Sequence, residues 1–87
     1  MDITFDATKD ASNIDKHGVS LAEASDLEWD TALVWADARK NEVRQSALVL
    51  KGERLYFVAF VDRAEGRRII SLRKANDREK KRYASQD

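Results

Sequence analysis

Residues 67–75 read Arg67-Arg68-Ile69-Ile70-Ser71-Leu72-Arg73-Lys74-Ala75. Taken as a strand, the stretch alternates: Ile70 and Leu72 point one way, and Ile69, Ser71 and Arg73 point the other. A half-buried strand ordinarily carries fewer than four cations in nine residues, because each must reach solvent or a partner. Arginines fixed on a rigid strand suit phosphate oxygens, since the planar guanidinium fork bonds two of them at once. Charge on a strand also protects a sheet edge from pairing with other chains. The stretch alone supports both readings equally.

Working outward, Leu55 to Val61 is apolar on both faces, as expected of a central strand. Asp62 to Gly66 turns it into the basic strand, and Lys51-Gly52-Glu53-Arg54 is a hairpin connection back to a strand over Arg44–Leu50. Thr31–Ala36 reads as a further strand, with Leu33 and Trp35 on one face and Val34 on the other, and the polar run Asp37–Glu42 as a loop. Ile3–Phe5 is a candidate short edge strand. Asp6 has the chemistry of an N-cap for a helix to about His17, with Gly18 past its end. Ser20 and Glu23 have capping-box spacing for a second, short helix to Glu28, burying Leu21, Ala24 and Leu27. Asn76 and Glu79 repeat that spacing for a last helix to Ala84. That helix is so polar that it is weakly docked, solvated or waiting for a partner. These elements predict an α+β fold: a four-stranded antiparallel sheet, two N-terminal helices on one face and a short C-terminal helix. At 87 residues the chain has room for one domain, 1–87, with a single modest core.

Composition removes several function classes. There is no cysteine, hence no disulfide framework and no thiolate metal site, which suits a reducing cytoplasm. No stretch is long enough to span a membrane, and the N-terminus lacks the pattern of a signal peptide. The formal net charge of zero hides an asymmetry. Residues 1–43 carry four Lys/Arg against ten carboxylates, and residues 44–87 carry twelve against six, a net of −6 against +6. Such a split suits a basic face toward a polyanion, or toward an oppositely charged protein.

One histidine and scattered carboxylates form no metal-ligand spacing, so neither a metal nor another cofactor is expected. Three glycines, all at turns or helix ends, make no phosphate loop, and no nucleophile elbow is present. His17 is the only side chain that titrates near neutral pH unaided. It suits the capping of carbonyls beside Gly18, and also proton transfer. Glu42, where a loop enters a strand, is either a working carboxylate or the ion-pair partner of Arg44 or a basic-strand arginine. Trp35, Tyr56, Phe57 and Phe60 sit in strand patterns and belong to the core, whereas Trp29 is open to a partner-contact role.

Two blocks, Lys16-His17-Gly18-Val19 and Arg68-Ile69-Ile70-Ser71-Leu72-Arg73-Lys74-Ala75, occur in an order and spacing that resemble the BrnT toxins of bacterial type II toxin–antitoxin pairs. Phe5-Asp6, Lys9, Asn13, Glu23, Glu42-Val43-Arg44, Gly52, Arg63, Glu79 and Tyr83 extend the resemblance from Phe5 to Tyr83. It implies a RelE-like, metal-independent endoribonuclease that arrests growth in the cytoplasm. It also implies neutralisation by a BrnA-type antitoxin, through which operator DNA is bound. On that reading Arg68 and Arg73 stabilise charge on the phosphorane, and His17 and Glu42 compete for proton transfer. Arg44, Arg63, Arg67, Lys74 and Arg78 hold RNA. Strict alternation places Arg68 and Arg73 on opposite faces, so their joint action requires a bulge, a strand end or strong twist. The same basic surface also suits a non-catalytic nucleic-acid- or protein-binding module.

Overall fold

A computed structural model describes residues 2–39 and 42–86; the side chains of 37–39 and 42 fall outside that description. Five strands form one mixed sheet: β1 (Ile3–Thr4), β2 (Glu28–Arg39), β3 (Glu42–Lys51), β4 (Arg54–Arg63) and β5 (Gly66–Lys74). Their spatial order is β1-β5-β4-β3-β2. β2 to β5 are an antiparallel meander, and β1 pairs in parallel with β5, opposite Arg67 and Arg68. The sheet is therefore neither four-stranded nor purely antiparallel. A two-residue strand carries no periodicity of its own, and the backbone holds β1 in place. The Arg67 N–H donates to the Asp2 carbonyl at 2.7 Å, and Gly66 (φ 142°) lies so close that a Cβ there would sit 2.6 Å from that oxygen.

α1 (Ala7–His17) begins and ends where its caps dictate. The Asp6 carboxylate accepts the Lys9 N–H, and Gly18 takes the left-handed conformation (φ 71°) while its N–H closes on Ile14. The second N-terminal element is a 3-10 helix, Leu21–Asp26, and not an α-helix. At six residues it is too short to nucleate α-helix alone. Its expected capping box does not form either: Ser20 accepts the Ala22 N–H, and Glu23 reaches Lys51 at 3.3 Å. Leu21, Ala24 and Leu27 are buried as their spacing requires. The polar run after Ala36 is not all loop, since β2 continues through Arg39, which pairs with Glu42. β2 also carries an irregularity between Glu28 and Leu33.

The register of β5 decides the two faces of the sheet. Ala59 pairs with Ser71, but Phe60 pairs with Ile69, so Ile70 is an extra residue, a bulge. Ile69 and Leu72 consequently face the same side, contrary to strict alternation. There they join Phe60, Val58, Val49 and Ala47 under α1 and the 3-10 helix, together with Leu21, Ala24 and Leu27. Each fully buried Val, Leu, Ile or Phe among them contributes roughly 1.5–3 kcal/mol, and the alanines less. Trp29 lies here too, edge-on to Phe60 at 5.4 Å, with its indole N–H on the Ala24 carbonyl. The opposite face has a smaller buried set, Leu48, Leu55 and Ala75, flanked by Leu33, Trp35, Phe57 and Tyr83.

α2 (Asp77–Ala84) covers part of that second face, so the helices are divided between both sides of the sheet. Its capping box forms in both directions between Asn76 and Glu79. It docks mainly through polar and cationic contacts. The Tyr83 hydroxyl donates to the Thr31 carbonyl at 2.7 Å, and Arg82 lies 4.0 Å over the Trp35 ring. A count of apolar positions does not register such anchors.

On the edge away from β4, β1 pairs with β5 only at Arg67 and Arg68, and past them Asn13 of α1 takes the place of a strand. Its buried amide accepts the Leu72 N–H at 3.2 Å and donates to the carbonyls of Leu72 (2.8 Å) and Val19 (2.7 Å). Asn13→Ala leaves buried backbone groups unpaired, with a cost of about 2–3 kcal/mol. We expect the melting temperature to fall by roughly 10–20 °C. A thermal melt within about 3 °C of wild type would show that Asn13 does not carry the edge.

Candidate nucleic-acid site

The bulge at Ile70 gives the second sheet face its chemistry. Because Ile69 and Leu72 point under the helices, Arg68, Ser71 and Arg73 all point the other way. Three rows of side chains then cross the sheet. Ser71, Ala59, Ser46 and Trp35 stand side by side across β5, β4, β3 and β2. On one side of them lie Arg68, Val61 and, one residue beyond the Gln45–Phe60 pair, Arg44. On the other side lie Arg73, Phe57, Leu48 and Leu33. The half-buried Ser71 and Ala59, with the buried Ser46 beyond them, therefore form a low floor between flanking arginines. Arg68 and Arg73 are two same-face steps apart, about 13–14 Å at Cα, a span that two extended arginine side chains can close over Ser71.

The arginines are held differently. Arg68 is half-buried and Arg44 likewise, and among the described residues neither has an ion-pair partner. Arg73 lies 4.3 Å over the Phe57 ring and grips Glu79 of α2 with both guanidinium nitrogens, at 2.8 and 2.9 Å. Those hydrogen bonds hold the Glu79 carboxyl below its usual range against the opposing effect of burial, and the Asn76 N–H assists. The carboxylate occupies the fork that a phosphate would use.

The remaining sequence candidates fall elsewhere. Arg67 points under the helices, where Asp62 takes it at 2.6 and 3.0 Å and the rings of Trp29 and Phe60 lie beneath it. Lys74 and Arg78 are exposed, at the end of β5 and on α2, and Arg63 is exposed opposite Gly66. His17 ends α1, exposed, and lines a cleft with Ser71 and Ile70 at the β5 edge, on the α1 side of the sheet. Glu42 opens β3, but its side chain lies outside the described residues. The Arg73–Glu79 fork escaped sequence reasoning because nothing in helical or strand periodicity links residues six apart across a strand-to-helix turn. Among the described residues no group of three His, Asp or Glu side chains is placed to hold a metal.

The model for the ribonuclease toxin BrnT of type II toxin–antitoxin systems matches residues 5–79. The chain belongs to the BrnT family. The crystal structure of the Brucella abortus ribonuclease toxin BrnT superposes with a TM-score of 0.68 at 29% sequence identity, covering 88% of this chain and 99% of that one. No curated protein sequence matches. The matched region of the BrnT-family chain takes in the bulge, Arg44, Arg68, Arg73 and Glu79. Membership implies a ribonuclease toxin paired with an antitoxin.

The Arg73–Glu79 pair makes stability depend on pH. The Glu79 pKa is lowered on folding, so its contribution is present above its unfolded pKa of about 4.3 and is lost as pH falls through the folded value. We expect Glu79→Gln to lower stability at pH 7 and to flatten the acid limb of denaturation below about pH 4.5. Parallel pH curves for variant and wild type would contradict this.

Proposed function

We propose that this protein is an endoribonuclease that cleaves RNA without a metal ion on the sheet face carrying Arg44, Arg68 and Arg73. The observation that carries the proposal is the bulge at Ile70, which turns Arg68 and Arg73 to one side across the Ser71-Ala59-Ser46 floor. A strand of RNA laid along that floor exposes its phosphates to guanidinium groups from both flanks. Phosphates supply the affinity and the salt dependence of binding. Trp35, half-buried under Arg82, closes the β2 end of the floor.

The reaction needs a base to take the 2′-hydroxyl proton, cations to stabilise the pentacoordinate phosphate, and an acid for the leaving 5′-oxygen. Attack of the 2′-oxygen on phosphorus breaks the bond to the 5′-oxygen and leaves a 2′,3′-cyclic phosphate. Arg68 and Arg73 supply the cations. Arg68 faces the floor without a carboxylate among the described residues, while Arg73 must exchange Glu79 for phosphate. His17, beside Ser71, is the candidate for proton transfer, and Glu42 is the second. In this RelE-like scheme every participating group comes from the chain or the RNA. A BrnA-type antitoxin, itself bound to operator DNA, neutralises the toxin in the cytoplasm by covering this face.

Groups that act on the transition state lower the rate more than the affinity when removed. We expect Arg68→Ala and Arg73→Ala each to lower single-turnover cleavage on the order of 100-fold, with a smaller loss in RNA binding. Arg73→Lys keeps the charge without the fork and should restore binding more than rate. Cleavage should persist in excess EDTA. Equal losses of rate and affinity in every variant would reduce the site to an RNA-binding surface. Loss of activity on chelation, restored by Mg²⁺, would overturn the metal-free reading.

A further inference from the structure

At the outer edge of β5, past its two pairs with β1, lies a second basic concavity. Lys9, Ser12, Asn13 and Lys16 project from one stripe of α1, spaced by helical turns, and His17 follows them. Ile70 and Ser71 close the opposite wall, so the bulge shapes this cleft as well as the groove. The cleft holds about 200 Å³.

Its lining contains three potential cations and no carboxylate. Among the described residues Lys9, Lys16 and His17 have no ion-pair partner. The nearby acids of α1 are engaged or turned elsewhere. Asp6 caps the Lys9 N–H at 3.0 Å, and Asp10 accepts from the Ser20 hydroxyl at 2.9 Å and the Leu21 N–H at 2.7 Å. The exposed Asp15 lies outside the lining. The end of the helix contributes roughly −0.5 of a charge, which two lysines outweigh. The field inside the cleft is therefore set for an anion.

Size narrows the ligand. Pockets that enclose a small organic molecule run from about 300 to 1,000 Å³, and this cleft is smaller. At about 30 Å³ per water it takes a phosphate with its hydration or an attached ribose, without an enclosed base. The Asn13 amide is already committed to Leu72 and Val19, which leaves Ser12 as the neutral donor on the α1 wall.

We propose that this cleft is a subsite for the RNA phosphate next to the scissile one, with Lys9 and Lys16 supplying the charge and Ser12 a hydrogen bond. The proposal rests on the groove reading above and goes beyond it, since Ser71 belongs to both places. It stands on the groove floor between Arg68 and Arg73, and it lines the α1 cleft. A strand leaving the groove over the β5 edge therefore meets the lysines at its next phosphate. Substrate is read here by backbone charge, so the subsite extends the footprint without selecting a base.

The test uses the full chain and its Lys9→Gln/Lys16→Gln double variant, both side chains being exposed. Binding is measured with 2′-O-methyl oligoribonucleotides, which cannot be cleaved, as a dinucleotide with one phosphate and as a tetranucleotide. Wild type should bind the longer probe more tightly. The variant should lose roughly tenfold for the tetranucleotide and less than about twofold for the dinucleotide, and its salt slope should fall by about 0.7 per lost phosphate contact. Equal losses on both probes, or no loss on either, would overturn the subsite. So would inorganic phosphate that binds wild type through the lysines without competing with the tetranucleotide. Because no turnover is needed, these outcomes are independent of the cleavage reading. A wild type that follows the length dependence but never cleaves unmodified RNA would sink the nuclease and leave the subsite standing.

Discussion

The extra residue at Ile70 forces β5 to present Ile69 and Leu72 to the same side, although three positions separate them. Without it, one of these fully buried side chains would face away from α1 and the 3-10 helix, at a cost of roughly 1.5–3 kcal/mol. The same twist carries Arg68 and Arg73 onto the opposite face. Core and candidate site are thus two consequences of one backbone irregularity. Asn13 satisfies both backbone groups of Leu72 just past the bulge, so α1 closes the β5 edge that β1 leaves open while β4 sets the register.

Three arginines of β5 show how surroundings separate chemically identical groups. Arg67 is stacked on two aromatic rings and forked by Asp62, which makes it part of the packing. Arg73 is stacked on Phe57 and forked by Glu79, a carboxylate on a helix that itself docks with little apolar contact. Arg68 faces the serine and alanine floor with no such partner among the described residues. Desolvation of a guanidinium is tolerable when a ring and a carboxylate replace water, and exchange of that carboxylate for a phosphate conserves the geometry. Arg73 is on this account poised, and Arg68 ready.

Much of this was legible in the sequence because it is locally encoded. Asp6 and Gly18 bound α1, Asn76 and Glu79 open α2, and the apolar run Leu55 to Val61 is central in the sheet. The cations of 67–75 also marked the right strand. The bulge was not legible, because Ile69 and Ile70 are interchangeable by hydrophobicity and only pairing with Ala59 and Phe60 chooses between them. The parallel β1 was hidden by its length. The division of helices between two faces was hidden too, because α2 binds through Tyr83, Arg82 and Glu79 and has no apolar stripe. Local rules report caps and alternation; register and cross-element ion pairs are tertiary.

The central claim is that Arg68 and Arg73 act together from one face, and a double-mutant cycle on single-turnover RNA cleavage tests it most directly. Groups that grip the same phosphate depend on each other, so the combined loss in Arg68→Ala/Arg73→Ala should differ from the sum of the single losses by about 1 kcal/mol or more. Additivity within about 0.5 kcal/mol would mean that the two arginines work at separate places, and would contradict the account.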